Sequence, residues 1–263
     1  MKKSLAIVTL AVCAMTITSC GAPAISLEQA KVEANQIRAT MESNGEYVAG
    51  KTLEVNYRIF QEEKAMGITE GSDVKGNIQI DVDSKEPYVR TFTEMREYAQ
   101  GYGEKEEAKA TSESWTYVSG QYVVFGYKYT ENGTVTDEGE TSVAITNAGS
   151  ELTKDIEEAY YEISRVFVGA VESIFTYLSL FPSDDLLAKA GIKLGSYGPG
   201  SLVINENVSA KNGGAWAKSD TTIEFKDYKL DSMKSTFDRG NEAISQKGDM
   251  SYTFNYAGFA KKY

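Results

Sequence analysis

The sequence predicts an α+β fold: a curved antiparallel sheet, forming an incomplete β-barrel, with an N-terminal helix and a central helix pair covering its concave face. Most of the chain consists of short segments in which apolar and polar residues alternate, which is typical of strands with one buried face. Helical spacing of apolar residues occurs in only two regions, 27–43 and 151–191. Antiparallel strands with one apolar face need a second layer, and these two regions are the elements able to supply it.

The N-terminus has the features of a secretion signal that ends in a lipid-attachment site. Lys2 and Lys3 precede an apolar, uncharged run of 13 residues at 5–17. That run suits a signal peptide and is shorter than the roughly 20 residues of a membrane-spanning helix. The residues Ile-Thr-Ser-Cys at 17–20, followed by Gly21, resemble a bacterial lipobox, in which the cysteine thiol takes a diacylglycerol. The alternative is an ordinary signal peptide with a chance cysteine.

This interpretation divides the chain into three parts. Residues 1–19 are expected to be a cleaved signal peptide, residues 20–25 a lipidated tether and residues 26–263 a single half-barrel domain. No low-complexity linker or fixed-period repeat interrupts the last part. Each buried methylene of an acyl chain contributes about 0.8 kcal/mol to membrane binding, so a multiply acylated Cys20 anchors stably. We expect a lipid-anchored protein of the cell membrane or outer membrane, with its domain outside the cytoplasm.

The N-terminal helix is predicted to begin after Ser26, because Ser26 and Gln29 have capping-box spacing. It should stop at Asn44-Gly45 and pack on one side. Its apolar face comprises Leu27, Ala30, Ala34, Ile37 and Met41.

Strands are predicted on both sides of the central helices. Two-residue turns at Ser119-Gly120 and Asn132-Gly133 favour hairpins. Gly67–Asp73 is predicted to be a loop, and the charged stretch Arg96–Ser112 an exposed loop or short helix. The predicted strands are 52–60, 74–82, 88–95, 114–118, 121–130, 141–146, 202–208, 221–226, 229–237 and 250–256.

The central helix pair is predicted to be a long helix, 151–181, and a short helix that ends before Gly191. Phe181-Pro182 stops the first helix, and Ser183 is placed to cap the second. From Val166 onward the long helix is apolar on more than one face, so it needs cover on most sides. Its additional apolar residues either complete a dry core or line a ligand site; they are Val168, Val171, Phe175, Leu178 and Leu180.

The composition excludes several kinds of active site. The chain has no histidine and two cysteines, and these two, Cys13 and Cys20, leave with the signal peptide or are consumed by lipid. Serine–histidine triads, thiol nucleophiles and most transition-metal sites are therefore excluded. Carboxylate-only hydrolysis remains possible, but no pair stands out among 38 acidic residues. We expect no enzymatic activity, no cofactor and no metal.

The net charge argues against two classes of partner. Loss of Lys2 and Lys3 with the signal peptide makes the formal charge of −11 still more negative. A chain this acidic, without a clustered basic face, is a poor candidate for binding nucleic acid or anionic lipid headgroups.

The order of helix, strand meander, helix pair and closing strands is similar to the lipoprotein-carrier superfamily that includes LolA, LppX and LprG. The resemblance extends from Ser26 to Tyr263 and is carried by element order and by apolar faces at Val74–Val82, Ser114–Tyr129 and 151–181. It implies an incomplete barrel whose helices plug or lid an apolar concavity that takes acyl chains. The sequence contains no family signature from which binding residues could be assigned.

We therefore expect a non-catalytic, membrane-tethered lipoprotein, favoured as a monomer, that binds a lipid or acyl chain in its half-barrel. One alternative is a cell-surface interaction or structural lipoprotein with a fully packed core. Another is carbohydrate binding through aromatic platforms that include Trp115 or Trp216. Besides lipid attachment at Cys20, the candidate ligand-binding residues are Phe167, Val171, Ile174, Phe175, Leu178, Phe181, Tyr57 and Phe125.

Overall fold

Eleven strands pair in one curved, unclosed antiparallel sheet, which confirms the predicted α+β incomplete barrel. The computed structural model describes residues 21–43, 52–82, 86–101, 103, 105–145 and 171–261. The strands are β1 (Thr52–Ala65), β2 (Ile68–Asp81), β3 (Tyr88–Gln100), β4 (Lys105–Ser119), β5 (Tyr122–Glu131), β6 (Thr134–Ala144), β7 (Ile192–Gly195), β8 (Leu202–Asn212), β9 (Ala215–Lys226), β10 (Lys229–Gly240) and β11 (Ile244–Asn255). The helices are α1 (Leu27–Ser43), α2 (described over residues 171–179) and α3 (Asp184–Lys189).

The strand order is β6-β5-β4-β3-β2-β1-β11-β10-β9-β8-β7. Two meanders, β1–β6 and β7–β11, are therefore joined by the pairing of the first strand with the last. In that pairing Val55 lies opposite Phe254, and Glu63 lies opposite Gln246. Helix α1 precedes the first meander and α2 and α3 lie between the two in sequence, and all three pack on one face of the combined sheet.

The hydrophobic core lies at one end of this sheet, beneath the helices. The apolar faces of α1, α2 and α3 contact the first half of β1, the second half of β2 and the matching ends of β8–β11. Leu53, Ile80, Leu202 and Phe225 are fully buried there. The opposite half of the sheet extends past these helices, and its residues are mostly exposed.

Helix α1 begins as the sequence predicts. The backbone N–H of Ser26 donates to Oε1 of Gln29 at 2.9 Å, and the N–H of Gln29 donates to Oγ of Ser26 at 3.3 Å, which confirms the capping box. A partner remote in sequence adds to the cap: Oδ1 of Asp184 accepts the N–H of Leu27 at 2.6 Å. Ser183 precedes α3 as predicted, but its side chain makes no capping hydrogen bond.

Two loop predictions were wrong. Ile68–Asp73 belongs to β2, and most of Arg96–Ser112 extends β3 and β4 into a longer hairpin. These halves of the strands carry polar residues on both faces, so they lack the apolar alternation that indicates a strand. They are held by the backbone ladder and by cross-strand ion pairs such as Arg96–Glu107 at 2.6 Å. For the same reason β6 starts at Thr134, ahead of the predicted 141.

Cross-strand pairs of glycine and an aromatic residue recur in the sheet. Tyr57 lies over Gly76, its direct partner on the next strand, and a methyl group at Gly76 would overlap the ring. Covering a strand glycine with an aromatic ring compensates for its missing side chain and helps to fix the register. The other such pairs are Tyr98 with Gly71, Trp115 with Gly126, Tyr127 with Gly139 and Phe237 with Gly248.

Several predictions fall outside the described residues. These are the signal peptide, Cys20, the predicted stop of α1 at Asn44-Gly45 and residues 146–170, which include Phe167. The long helix ends close to the predicted Phe181-Pro182: its described part stops at Ser179, two residues before the predicted end.

Candidate binding site on the concave face

The helix-covered face of the sheet changes character along each central strand. Alternate residues of a strand share a face, so the part of β1 from Leu53 to Glu63 presents six side chains to this side. The two nearest the helices are fully buried, the next two are half-buried and the last two are exposed. In order they are Leu53, Val55, Tyr57, Ile59, Gln61 and Glu63.

The helix-covered end is packed. Phe175 is 4% exposed and Leu178 1%, and the Phe175 ring centroid lies 5.3 Å from that of Phe225. Val171 is buried in the same cluster, and Ile174 and Phe181 pack against it. These five predicted ligand-binding residues are thus brought together. Most of their neighbours are core side chains, but the Arg38 guanidinium lies 5.5 Å from the Phe175 ring centroid, and the Phe181 ring packs edge-on against the exposed Tyr177. Their role in holding a ligand stays a prediction.

The middle of the concave face carries a half-exposed apolar surface, which we call the aromatic belt. It is built across β3, β2, β1 and β11 from side chains in two neighbouring rows of the sheet. Tyr57 is the one predicted site residue within it: its ring stacks on Tyr252 at a centroid distance of 6.1 Å, and its hydroxyl is 2.9 Å from Oγ1 of Thr93. The belt consists of Tyr57, Ile59, Val74, Met95, Met250 and Tyr252.

Phe125 lies on the same face but not at the same place. It belongs to β5, four strands from β1, and strands are spaced about 4.8 Å apart, so roughly 19 Å of sheet separates Phe125 from β1. It also lies in the row of Leu53 rather than that of Tyr57. The structure therefore does not join Tyr57 and Phe125 in one site.

Beyond the belt the concave face opens into a hollow of about 750 Å³, which we call the acidic basin. Its floor comes from β1, β2, β3 and β11, and its walls come from β4 and β10, five positions apart in the sheet. One hollow can touch both walls because the sheet curves towards this face. The concave-facing side chains of the basin are Gln61, Glu63, Glu70, Ser72, Glu97, Glu106, Phe237, Arg239 and Gln246.

The basin is negative because four carboxylates face it and little compensates them. Nε2 of Gln246 donates to Glu63 at 2.6 Å, and Nε of Arg239 donates to Oε1 of Gln246 at 2.9 Å. Arg239, the cation facing this hollow among the described residues, is thus bonded to an amide that bridges it to Glu63. Such a surface favours a ligand that presents a positive or hydrogen-bond-donating group.

The opposite, convex face of the same strands carries balanced charge. Glu62 accepts a hydrogen bond from Tyr98 Oη at 2.7 Å and lies 3.0 Å from Nζ of Lys247. Burial, together with the bond to Glu62, raises the pKa of Tyr98 to about 12. Glu107 bonds to Arg96 and lies 3.4 Å and 3.2 Å from the amines of Lys105 and Lys109; its pKa falls to about 2, chiefly through Arg96. The convex network therefore links β1, β3, β4 and β11 behind the basin.

The two tryptophans do not form one platform. Trp115 lies on β4 and Trp216 on β9, six positions apart in the sheet. Trp115 donates its indole N–H across β5 to Glu140 on β6 at 3.2 Å, and Trp216 donates its indole N–H to Asp238 on the neighbouring strand β10 at 2.9 Å.

The described residues hold no group of three or more acidic, histidine or cysteine side chains arranged for a metal ion. None of the described helices is long and apolar enough to cross a bilayer. The concave face thus carries an apolar belt next to an acidic hollow.

The basin has no clear signature in the sequence. Glu70, Glu97 and Glu106 fall in the two stretches that lack apolar alternation, where an exposed glutamate carries no positional information. One weak indication of strands in these stretches is the set of small residues Ala99, Ala108 and Ala110, which share the concave face in the structure.

No protein-family model and no curated protein matches the sequence. Among solved structures, the chain is similar to a β-barrel-like protein of domain of unknown function DUF1849 from Brucella abortus, with 10% identity, 78% of this chain and 99% of that one covered, and a TM-score of 0.26. It is also similar to the translocator domain of the autotransporter NalP from Neisseria meningitidis, with 4% identity, 87% of this chain and 97% of that one covered, and a TM-score of 0.27. A third similar structure is the S-type phycobiliprotein lyase CPES from Guillardia theta, with 8% identity, 88% of this chain and 98% of that one covered, and a TM-score of 0.18. At these TM-scores we base no conclusion on the likenesses.

Proposed function

We propose that this protein is a lipid-anchored, non-catalytic binding protein that holds a lipid or another acyl-chain ligand on the concave face of its half-barrel. The observation that carries the proposal is the continuous path from the aromatic belt to the acidic basin. An acyl chain would cover the half-exposed belt, and each Å² of apolar surface removed from water contributes about 25 cal/mol. A cationic or hydrogen-bond-donating head would lie among the carboxylates of the basin, whereas the anionic head of a fatty acid would stay in solvent beside the belt.

The anchor in this proposal is Cys20. The lipobox-like residues at 17–20 support lipidation of its thiol, and the positive, apolar segment before them supports export. The domain would then act outside the cytoplasm, tethered to the cell membrane or outer membrane.

The test uses a soluble form that begins at Gly21, purified from bacterial membranes. Native mass spectrometry should show a lipid mass on the folded domain, and a fluorescent fatty acid should bind saturably. Replacement Ile59→Asn places a polar amide in the belt and should weaken fatty-acid binding at least about tenfold, since one lost anchor in an apolar site costs roughly 1–3 kcal/mol. Val32→Asn, at an exposed apolar position of α1, is the matched control and should leave binding unchanged.

A bare protein mass together with no fatty-acid uptake would refute the proposal. Equal binding by the Ile59→Asn form and by the control would place the ligand away from the belt.

The second candidate is an interaction or structural lipoprotein without a small ligand. The observation that favours it is the burial of Val171, Phe175 and Leu178, because a helix apolar on several sides is then explained by packing alone. It predicts a bare mass in the experiment above, and no change in the thermal unfolding temperature when fatty acids are added. A ligand-dependent rise in that temperature would count against it.

A further inference from the structure

We propose that the domain lies directly against the bilayer that holds its anchor, through an apolar tip formed by Leu180, Leu186 and Tyr197. The proposal rests on the lipidation of Cys20 proposed above. It adds a second contact with the lipid surface and a defined orientation of the binding face.

The segment after Cys20 is fastened to the sheet almost at once. Ala24 forms a β-bridge with Gly195, the N–H of Ile25 donates to Leu194 O at 3.1 Å, and the N–H of Ser196 donates to Pro23 O at 3.0 Å. The chain therefore continues the sheet past its edge strand β7. An extended residue spans at most about 3.5 Å, so the three residues from Cys20 to Ala22 reach only about 10 Å. An acyl group on Cys20 must enter the bilayer close to this edge.

The same edge carries three exposed apolar side chains. Leu180 is 72% exposed, Tyr197 55% and Leu186 43%. Leu186 points outward, whereas its neighbour Leu187 is buried in the core. Single exposed apolar residues are normal in soluble proteins, so what matters is that these three share one end of the molecule with the anchor.

Contacts of residues 21–31 connect the anchor segment with the parts of the chain that carry the three apolar side chains. Gly21 approaches the hydroxyl of Tyr197 closely enough that a methyl group there would be 3.4 Å from it. The N–H of Leu27 bonds to Asp184 at the start of α3, and Nζ of Lys31 bonds to the carbonyl oxygen of Phe181 at 3.3 Å. One turn of α1, about 5.4 Å long, thus contacts the segments on either side of Pro182. The apolar tip and the anchor lie on one small surface.

The charges around this tip are mixed. Lys31, Lys189 and Lys193 are offset by Glu28, Asp184 and Asp185. Attraction to anionic headgroups would need an excess of basic residues, so the observations favour apolar insertion into the interfacial region of the bilayer.

Docking in this orientation points the acidic basin away from the membrane. The row of Leu53 belongs to the helix-covered end, and Glu63 lies ten residues farther along β1, about 33 Å at 3.3 Å per residue. The open rim of the half-barrel would then face partners or ligands in the space beyond the bilayer.

The experiment uses the full-length chain, extracted from membranes and reconstituted into phosphatidylcholine vesicles. With Cys20 consumed by lipid, the mature chain has no free thiol, so single cysteines can be labelled with bimane. Labels at Leu180→Cys, Leu186→Cys and Tyr197→Cys should be quenched at least twofold by lipids that carry a nitroxide near the headgroup. The control is Ala243→Cys, exposed at the opposite rim, which should not be quenched.

Flotation with the vesicles and the mass of the N-terminal peptide are measured first. Absence of acylation and of flotation would overturn the anchor, and the docking inference with it. Flotation with equal, weak quenching at the tip and at residue 243 would overturn docking alone. The double replacement Leu180→Asp with Leu186→Asp should keep flotation but abolish quenching at Tyr197→Cys. Val135→Asp, at an exposed apolar position of the far edge strand β6, should change neither.

Discussion

Tyr98 shows how a single side chain serves both the sheet and the site. Its ring covers Gly71 on β2, and its hydroxyl donates to Glu62 on β1, so it spans three adjacent strands beneath the acidic basin. Burial disfavours the charged phenolate, and the hydrogen-bonded carboxylate of Glu62 acts in the same direction, so the pKa of Tyr98 rises to about 12.

This shift predicts a loss of stability in alkali. The folded protein holds the Tyr98 proton more tightly than the unfolded chain, whose tyrosine pKa is about 10. The stabilisation is therefore complete below pH 10 and declines as the pH rises from about 10 to about 12. Phenolate absorbance of the wild type minus that of Tyr98→Phe should titrate near pH 12, and urea unfolding of Tyr98→Phe should decline less over this range. A difference titration near pH 10 would contradict the prediction.

At the scale of elements, α2 is the part whose role the sequence left open. Its apolar residues could have lined a cavity or completed a core, and periodicity is the same in both cases. The described part of the helix settles the packing of Val171, Phe175 and Leu178, which are buried against α1 and the sheet. Leu180, counted with them in the sequence, lies in the turn after the helix and is exposed.

Truncation of a buried residue and of an exposed residue in this segment should change the free energy of unfolding by different amounts. Phe175→Ala is expected to lower the free energy of unfolding by about 3–5 kcal/mol, because it leaves a cavity against Phe225. Leu180→Ala should change it by less than about 0.5 kcal/mol, as for other exposed positions. Urea unfolding followed by circular dichroism measures both. Comparable effects at the two positions would show that Phe175 is not held in a packed core.

On the whole-molecule scale, the sheet has a helix-covered half with an apolar core and an open half held mainly by backbone pairing and surface ions. Exposed ion pairs contribute only about 0–1 kcal/mol each, so the open half depends on its continuity with the packed half.

Hydrogen exchange should report this division. Amides of β3 and β4 near Arg96 and Lys109 should exchange through local opening, at a lower free energy than amides of β1 and β9 near Val55 and Phe225. Exchange measured residue by residue by NMR at increasing urea concentration distinguishes local from global opening. Uniform protection along the full length of the strands would contradict this division.

The sequence alone determined the fold class, the α1 capping box, the end of the long helix and most strands of the covered half. In these regions the apolar residues recur with the period of a helix or a strand, because one face of each element is buried. The lipobox-like segment and its consequences stay predictions. Only the tertiary structure decided the extent of the sheet and the location of the basin. Glu63 bonds to Gln246, 183 residues away in sequence, because β1 pairs with β11. The same backbone hydrogen bonds position the polar halves of these strands. Exposed side chains need not alternate between apolar and polar, so their sequence does not show which distant strands pair. The acidic basin is therefore visible only in the folded chain.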